Sequence, residues 1–233
     1  MDFTTTTALI SGANRGLGKH FAAQLLERGA RVYAGARNPE TIDTSTGLIA
    51  VALDITDPDS IAAAAQATPG VNLLINNAGI STGSALLTGE FGAIRADFDT
   101  NFYGTLAMIR AFAGPIEDNG GGAILNVLSV LSWFALPGSG AYSAAKAASW
   151  SMTNAVRQEL APKGIRVTGL HVGYMDTDMA DHIDGPKSDA AHVAKTALDA
   201  VAAGEYEILA DDLSHQVRAG LAGGVAALYP ELP

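Results

Sequence analysis

A tyrosine and a lysine stand four residues apart in Ala141-Tyr142-Ser-Ala-Ala-Lys146, at the start of a segment with helical periodicity. That spacing sets both side chains on one face, within reach of a common ligand. The run Ile124-Leu-Asn-Val-Leu-Ser129 ends thirteen positions before the tyrosine, and its apolar character predicts a buried strand with Ser129 at its carboxyl end. A phenol, an ammonium and a hydroxyl so placed can exchange a proton with an oxygen of a bound molecule. The phenol is a poor proton exchanger by itself, since its reference pKa is ~10, and a neighbouring cation lowers that value. Reaching ~7 takes about 4 kcal/mol of differential stabilisation, at ~1.4 kcal/mol per unit, within the range of active-site groups. Singly, each residue fits an ordinary helix start or strand-end turn; together they predict acid–base chemistry.

A second stretch points to what is bound. Thr7-Ala-Leu-Ile-Ser-Gly-Ala-Asn-Arg-Gly-Leu-Gly18 carries glycines at 12, 16 and 18, the reverse of the GxGxxG spacing, with Arg15 among them. The loop follows a strand and opens a helix, the context in which glycines let the backbone approach a pyrophosphate and the helix N-terminus supplies free N–H groups. The second strand ends Tyr33-Ala-Gly-Ala-Arg37, with no acid at its tip to take a ribose 2′-hydroxyl. Arg15 and Arg37 are expected to converge on the 2′-phosphate of NADP instead, since a planar guanidinium pairs bidentately with phosphate.

These residues need elements to hold them. Short apolar runs at 7–11, 31–35, 48–53, 73–76, 123–128, 166–171 and 207–209 alternate with helical patterns at 20–28, 58–67, 92–116, 142–161 and 189–203, and a last one follows Leu213. Such alternation predicts βαβ units, hence an α/β doubly wound parallel sheet of the Rossmann type, about seven strands with helices on both faces, in a single domain spanning 1–233. Asp57-Pro58 and Ser188-Asp189 read as helix starts, and Asn119-Gly-Gly-Gly122 as a turn. In such sheets ligands sit beyond the carboxyl ends of the strands, where Ser11, Arg37 and Ser129 fall.

Composition excludes several partners. A formal charge of −10 works against nucleic acid or an anionic membrane surface. No cysteine is present, so thiolate metal sites and cysteine nucleophiles are excluded. Neither a signal-like start nor a run of ~18 apolar residues occurs, and a cytoplasmic address is expected. His171, His182, His192 and His215 lack a ligand spacing, so no metal is expected.

Over nearly its full length the chain resembles the short-chain dehydrogenase/reductase family. Ser11-Gly-Ala-Asn-Arg-Gly-Leu-Gly18 matches its TGxxxGxG loop, Asn76-Asn-Ala-Gly79 its NNAG, Asn101-Phe-Tyr-Gly104 its helix asparagine, and Ser129, Tyr142 and Lys146 its catalytic set. The altered glycine spacing is that family's own form of the loop. The resemblance implies that Tyr142 is the general acid/base, that Lys146 lowers its pKa and bonds the nicotinamide ribose, that Ser129 orients the substrate oxygen, and that Asn101 holds a water linking the lysine to solvent. The implied cofactor set is Gly12, Asn14, Arg15, Gly16, Leu17, Gly18, Arg37, Asp54 and Ile55 beside the adenine, Asn77, Ala78 and Gly79 along the cleft, Tyr142, Lys146, Gly173, and Thr177 on the carboxamide. Two departures stand out: Ser11 replaces a threonine, and His171-Val-Gly173 replaces a Pro-Gly pair.

The expectation is therefore NADPH-dependent reduction of a ketone or aldehyde, with a silent NADP-binding regulator, or an epimerase or dehydratase, as alternatives. Ile80, Leu86, Leu87, Trp133, Phe134 and Met175 predict an apolar substrate pocket, and residues 178–188 a short, mobile, solvated lid. The family packs the helices at 92–116 and 142–161 against a symmetry mate, which implies a homodimer or homotetramer.

Overall fold

The computed structural model describes residues 1–232. Seven strands form one parallel sheet: β1 (Thr7–Ser11), β2 (Arg31–Ala36), β3 (Ile49–Ala52), β4 (Leu73–Asn76), β5 (Gly122–Val127), β6 (Ile165–His171) and β7 (Glu207–Leu209), in the order β3-β2-β1-β4-β5-β6-β7. The order reverses between β1 and β4, which opens a crevice above their carboxyl ends. Helices α1 (Gly16–Glu27), α2 (Pro58–Ala67), α3 (Phe91–Phe98), α4 (Thr105–Asp118), α5 (Gly140–Leu160) and α6 (Ala190–Ala203) connect the strands, and α7 (Asp212–Gly220) and α8 (Gly224–Leu228) follow β7.

The central strands are apolar throughout because both faces are covered. Ala8 and Ile10 face one core with Phe21, Leu25, Val193 and Leu198 of α1 and α6. Leu9 faces the other, with Met108, Phe112, Met152 and Val156 of α4 and α5. Each such side chain removed from water contributes about 1.5–3 kcal/mol, so strand alternation fixes which helix lies on which face. Asp57 and Asp189 cap α2 and α6 by accepting from the N–H groups of Asp59 and His192, at 3.0 and 2.6 Å.

Several boundaries differ from the sequence expectation, the helix expected at 20–28 starting at Gly16 among them. The strand expected at 48–53 is reduced to Ile49–Ala52, because it is the sheet edge and pairs on one side only. The long helix expected at 92–116 is two helices, α3 and α4, joined by a π-helical turn at Asp99–Gly104. The apolar periodicity continues across this turn, so the sequence pattern hides it.

Candidate active site

The glycine loop leaves β1 at Ser11, whose hydroxyl oxygen accepts from the N–H groups of Asn77 and Ala78, both at 3.1 Å. This ties the end of β1 to the turn after β4 and needs only a hydroxyl, so serine serves without the methyl of the threonine expected there. The Asn77 amide donates to the carbonyls of Ser11 and Gly12 at 3.0 and 3.1 Å. Gly12 adopts φ +67, a left-handed conformation favouring glycine. At Gly18 a Cβ would lie 2.1 Å from the Gly12 carbonyl oxygen, so the first turn of α1 can press on the loop only without a side chain. No side chain caps α1, which leaves first-turn N–H groups for an anion. This bare, close-packed cradle fits the pyrophosphate of a dinucleotide.

Around it the other expected cofactor residues collect at the carboxyl edge of the sheet. Arg37 is exposed just past β2, and Asn14 and Leu17 lie on the loop and the start of α1. The Asp54 carboxylate accepts from Thr56 N–H and hydroxyl at 2.9 and 2.7 Å, which holds its pKa below the usual carboxylate range. Ile55 is buried, with its carbonyl and side chain against Gly104. Thr177 stands over the glycine loop, its methyl 3.3 Å from where a Cβ on Gly16 would lie. Arg15 does not stand free for a phosphate: it is ion-paired with Asp178 at 3.0 Å, both groups well exposed.

Ser129 follows β5, is buried, and accepts from the Leu131 N–H at 3.1 Å, which leaves its own proton for another acceptor. Tyr142 and Lys146 lie one turn apart on α5, with the Lys146 ammonium 5.6 Å from the Tyr142 ring centre. Lys146 is buried and donates to the Val127 carbonyl at 2.8 Å. Tyr142 is half-buried. Burial pushes the phenol up to about 12, with Asp97 and Tyr174 adding to the rise and a hydrogen bond with Ser129 opposing it. Burial pushes Lys146 down to about 8, partly offset by Asp97. The expected fall in the tyrosine pKa is therefore not what the protein groups produce, since desolvation of the phenolate outweighs the lowering by Ser129.

Asn101 is placed by the π-turn. Its amide N–H groups donate to the carbonyls of Ile80 and Asp97, both at 2.9 Å, while its own carbonyl accepts from the hydroxyls of Thr105 and Ser149, also at 2.9 Å. Its buried Oδ1 has no partner among the described residues and lies 2.8 Å from where a Cβ on Gly79 would be, with the Lys146 ammonium 3.8 Å from the same point. A π-turn at a functional position is a recurring device, because it re-aims one side chain without ending the helix.

Several residues that hold this constellation escaped the sequence reading. Asn76 donates to Asn126 at 2.8 Å, Asn126 to the Thr153 hydroxyl at 2.9 Å, and Thr153 to the Ser149 carbonyl at 2.7 Å, a buried polar chain from β4 across β5 to α5. Ser149 and Thr153 follow Lys146 at helical spacing, the one signal that could have marked them. Asp211 accepts from the Gly173 N–H at 2.7 Å and the Ser188 hydroxyl at 3.1 Å while capping α7, and so fixes the strand end where proline was expected. Trp133, expected in the pocket wall, is buried and stacked on His171 at 3.8 Å. Residues 178–188 are not a free loop: Met175 and Ser188 bridge, and residues 178–180 form a 3-10 turn. Among the described residues no group of three or more His, Asp or Glu could hold a metal ion.

The family profile described as short chain dehydrogenase matches residues 6–187. The chain belongs to this family. It is 33% identical over 191 residues to an NADPH-dependent 1-acyldihydroxyacetone phosphate reductase of Schizosaccharomyces pombe, a match covering 78% of this chain and 64% of that protein. It thus spans less than two thirds of that relative. A 3-oxoacyl-acyl-carrier-protein reductase of Vibrio cholerae is 30% identical, with 82% of each chain covered. The crystal structure of a short chain dehydrogenase from Burkholderia cenocepacia in complex with NADP superposes with a TM-score of 0.95 at 39% identity, covering 100% of this chain and 99% of that one. As a short-chain dehydrogenase the chain is an oxidoreductase.

Proposed function

We propose that the protein reduces a ketone or aldehyde to an alcohol with NADPH. One observation carries the reading: Tyr142 and Lys146 stand one turn apart on α5, the Lys146 ammonium 5.6 Å from the Tyr142 ring centre, facing the buried Ser129 at the end of β5. The nicotinamide, when bound, supplies hydride to the carbonyl carbon. Ser129 then donates its free proton toward the carbonyl oxygen and orients it. Tyr142, held neutral by burial, gives its proton to the oxygen as negative charge develops there. The Lys146 ammonium stabilises the phenolate left behind, and the open Oδ1 of Asn101 marks a polar route for returning the proton.

The cofactor preference rests on Arg37 at the tip of β2 and on the absence of an acid there, and the NADP complex of the Burkholderia relative supports it. Carbonyl reduction also agrees with the names of the two reductases above. The half-buried Ile80, Phe134 and Met175 favour a substrate that is apolar around its carbonyl. The test is loss of reduced-nicotinamide absorbance on mixing the protein and NADPH with a panel of ketones and aldehydes. Turnover by wild type that falls ~10²-fold or more in Tyr142→Phe, with NADPH binding retained, is the expected result. Tight NADPH binding with no turnover across the panel would favour a silent regulator instead.

A further inference from the structure

Asp97 is the fully buried carboxylate nearest the catalytic helix that the reaction above does not use. It lies one turn before Asn101, which donates to its backbone carbonyl at 2.9 Å. Its side chain faces away from α3 into the segment that follows Gly79: one oxygen accepts from the Thr82 hydroxyl at 2.6 Å, the other from the Thr82 N–H at 3.3 Å. Both side-chain oxygens are thus engaged by one residue. The Thr82 hydroxyl lies 3.0 Å from that of Ser84, and the Ser84 carbonyl accepts from the N–H of Ala141, the residue before Tyr142, at 3.1 Å. Leu86, two residues on, packs so close to Gly140 that a Cβ there would lie 2.9 Å from it.

We propose that Asp97 is a positioning residue, clamping Thr82 so that the segment from Ile80 to Ser84 fixes the start of the Tyr142 helix, and setting its carboxyl group toward Tyr142 and Lys146. A buried charge is costly unless hydrogen-bonded, and here a charge-assisted pair of bonds to one residue holds it. The charge opposes loss of the proton from both partners: it adds to the effect of burial at Tyr142 and works against it at Lys146. The groups facing the pair are Asp97 from α3 and Tyr174 from the segment after β6; Arg95 and Asp99, the charged neighbours of Asp97 in sequence, are exposed.

The catalytic half of this proposal rests on the reduction reading, so the test has a readout independent of turnover. The chain has five lysines, and a protein carrying 13C at the lysine ε-carbons gives a titration for each, with that of Lys146 identified by its loss in Lys146→Arg. In Asp97→Asn the Lys146 midpoint should fall from about 8 by about 1 unit, since a negative neighbour that favoured the charged form is gone. The basic limb of the kcat/KM profile for NADPH and a ketone should move down with it. Thr82→Val keeps the charge but loosens the clamp, and should raise KM severalfold while the Lys146 midpoint stays on the basic side of neutrality. An unchanged Lys146 midpoint in folded Asp97→Asn overturns the electrostatic role, and Thr82→Val with wild-type kinetics overturns the clamp. If no ketone is turned over by any variant but the midpoint still moves, the reduction reading fails and the placement of Asp97 stands.

Discussion

Arg37 and Arg15 have unequal claims on a 2′-phosphate. Arg37 is exposed beyond β2 and, among the described residues, has no salt-bridge partner, whereas Arg15 spends its charge on Asp178. Replacing Arg37 with Ala should therefore weaken NADPH binding by about 1.5–3 kcal/mol, the range for a hydrogen bond to a charged group, and leave NADH binding nearly unchanged. Equal losses for both cofactors in calorimetry would place the phosphate elsewhere. The Arg15–Asp178 pair is solvent-exposed, and such pairs contribute about 0–1 kcal/mol. Asp178→Asn should accordingly tighten NADPH by no more than about fivefold, with NADH unaffected. Weaker NADPH binding in that variant would show that Asp178 supports the cleft and does not compete for Arg15.

At the scale of elements, the cleft depends on backbone surfaces that meet without side chains between them. The first turn of α1 touches the loop through Gly18, where an added Cβ has 2.1 Å to the Gly12 oxygen and 2.5 Å to the Asn77 amide. Gly18→Ala must displace the turn that links β1, β4 and α1, so cofactor binding should be lost well before the fold is. Calorimetry with NADPH, beside the far-UV spectrum, separates the two effects. An unimpaired Kd would mean that the loop relaxes freely. Residues 178–188 are pinned at both ends, by the Met175–Ser188 bridge and by Asp211. Replacing them with a Gly/Ser bridge removes Ser188 and the contacts at the mouth of the cleft while keeping the Asp211 bond to Gly173, and should change kcat/KM only modestly. A large loss confined to one substrate would identify the segment as a specificity element.

At the scale of the molecule, Phe102, Leu106, Ala148, Met152, Ala155 and Val156 leave an apolar groove between α4 and α5. Its seat on the helices that the family pairs leads us to expect a homodimer or tetramer in solution, which light scattering would read directly. Leu106→Glu should drive it to monomer; a wild type that is already monomeric at micromolar concentration refutes the expectation. The core also carries a pH liability. His171 is fully buried, with Nδ1 3.2 Å from the Ser129 carbonyl, and burial pushes its pKa down to about 4 although Glu207 lies 3.5 Å from Nε2. Below its unfolded value of 6.5 the unfolded chain takes up a proton that the folded chain refuses, so stability falls as pH drops from 6.5 to about 4 and levels off beyond. The full loss is on the order of 3 kcal/mol, at ~1.4 kcal/mol per unit. Urea unfolding at pH 7 and pH 5 checks it: the gap between wild type and His171→Phe should narrow at the lower pH.

The sequence by itself determined the family, the parallel sheet with its helices, and the residues that gather at its carboxyl edge. These are carried by local signals: apolar runs of strand length, glycines at a strand-to-helix turn, and a tyrosine and lysine one helical turn apart. Tertiary structure decided whatever depends on neighbours distant in the chain. At the π-turn Asp99–Gly104 the Asn101 backbone carbonyl accepts from Ser149 and its side-chain amide donates to Ile80, partners that no periodicity records. Ser11 works in place of threonine because two N–H groups from the turn after β4 meet its oxygen. Arg15 is diverted by an acid 163 residues away. The direction of the Tyr142 shift follows from how deeply its hydroxyl is desolvated, and burial is a property of the packed chain, not of the spacing between a phenol and an ammonium.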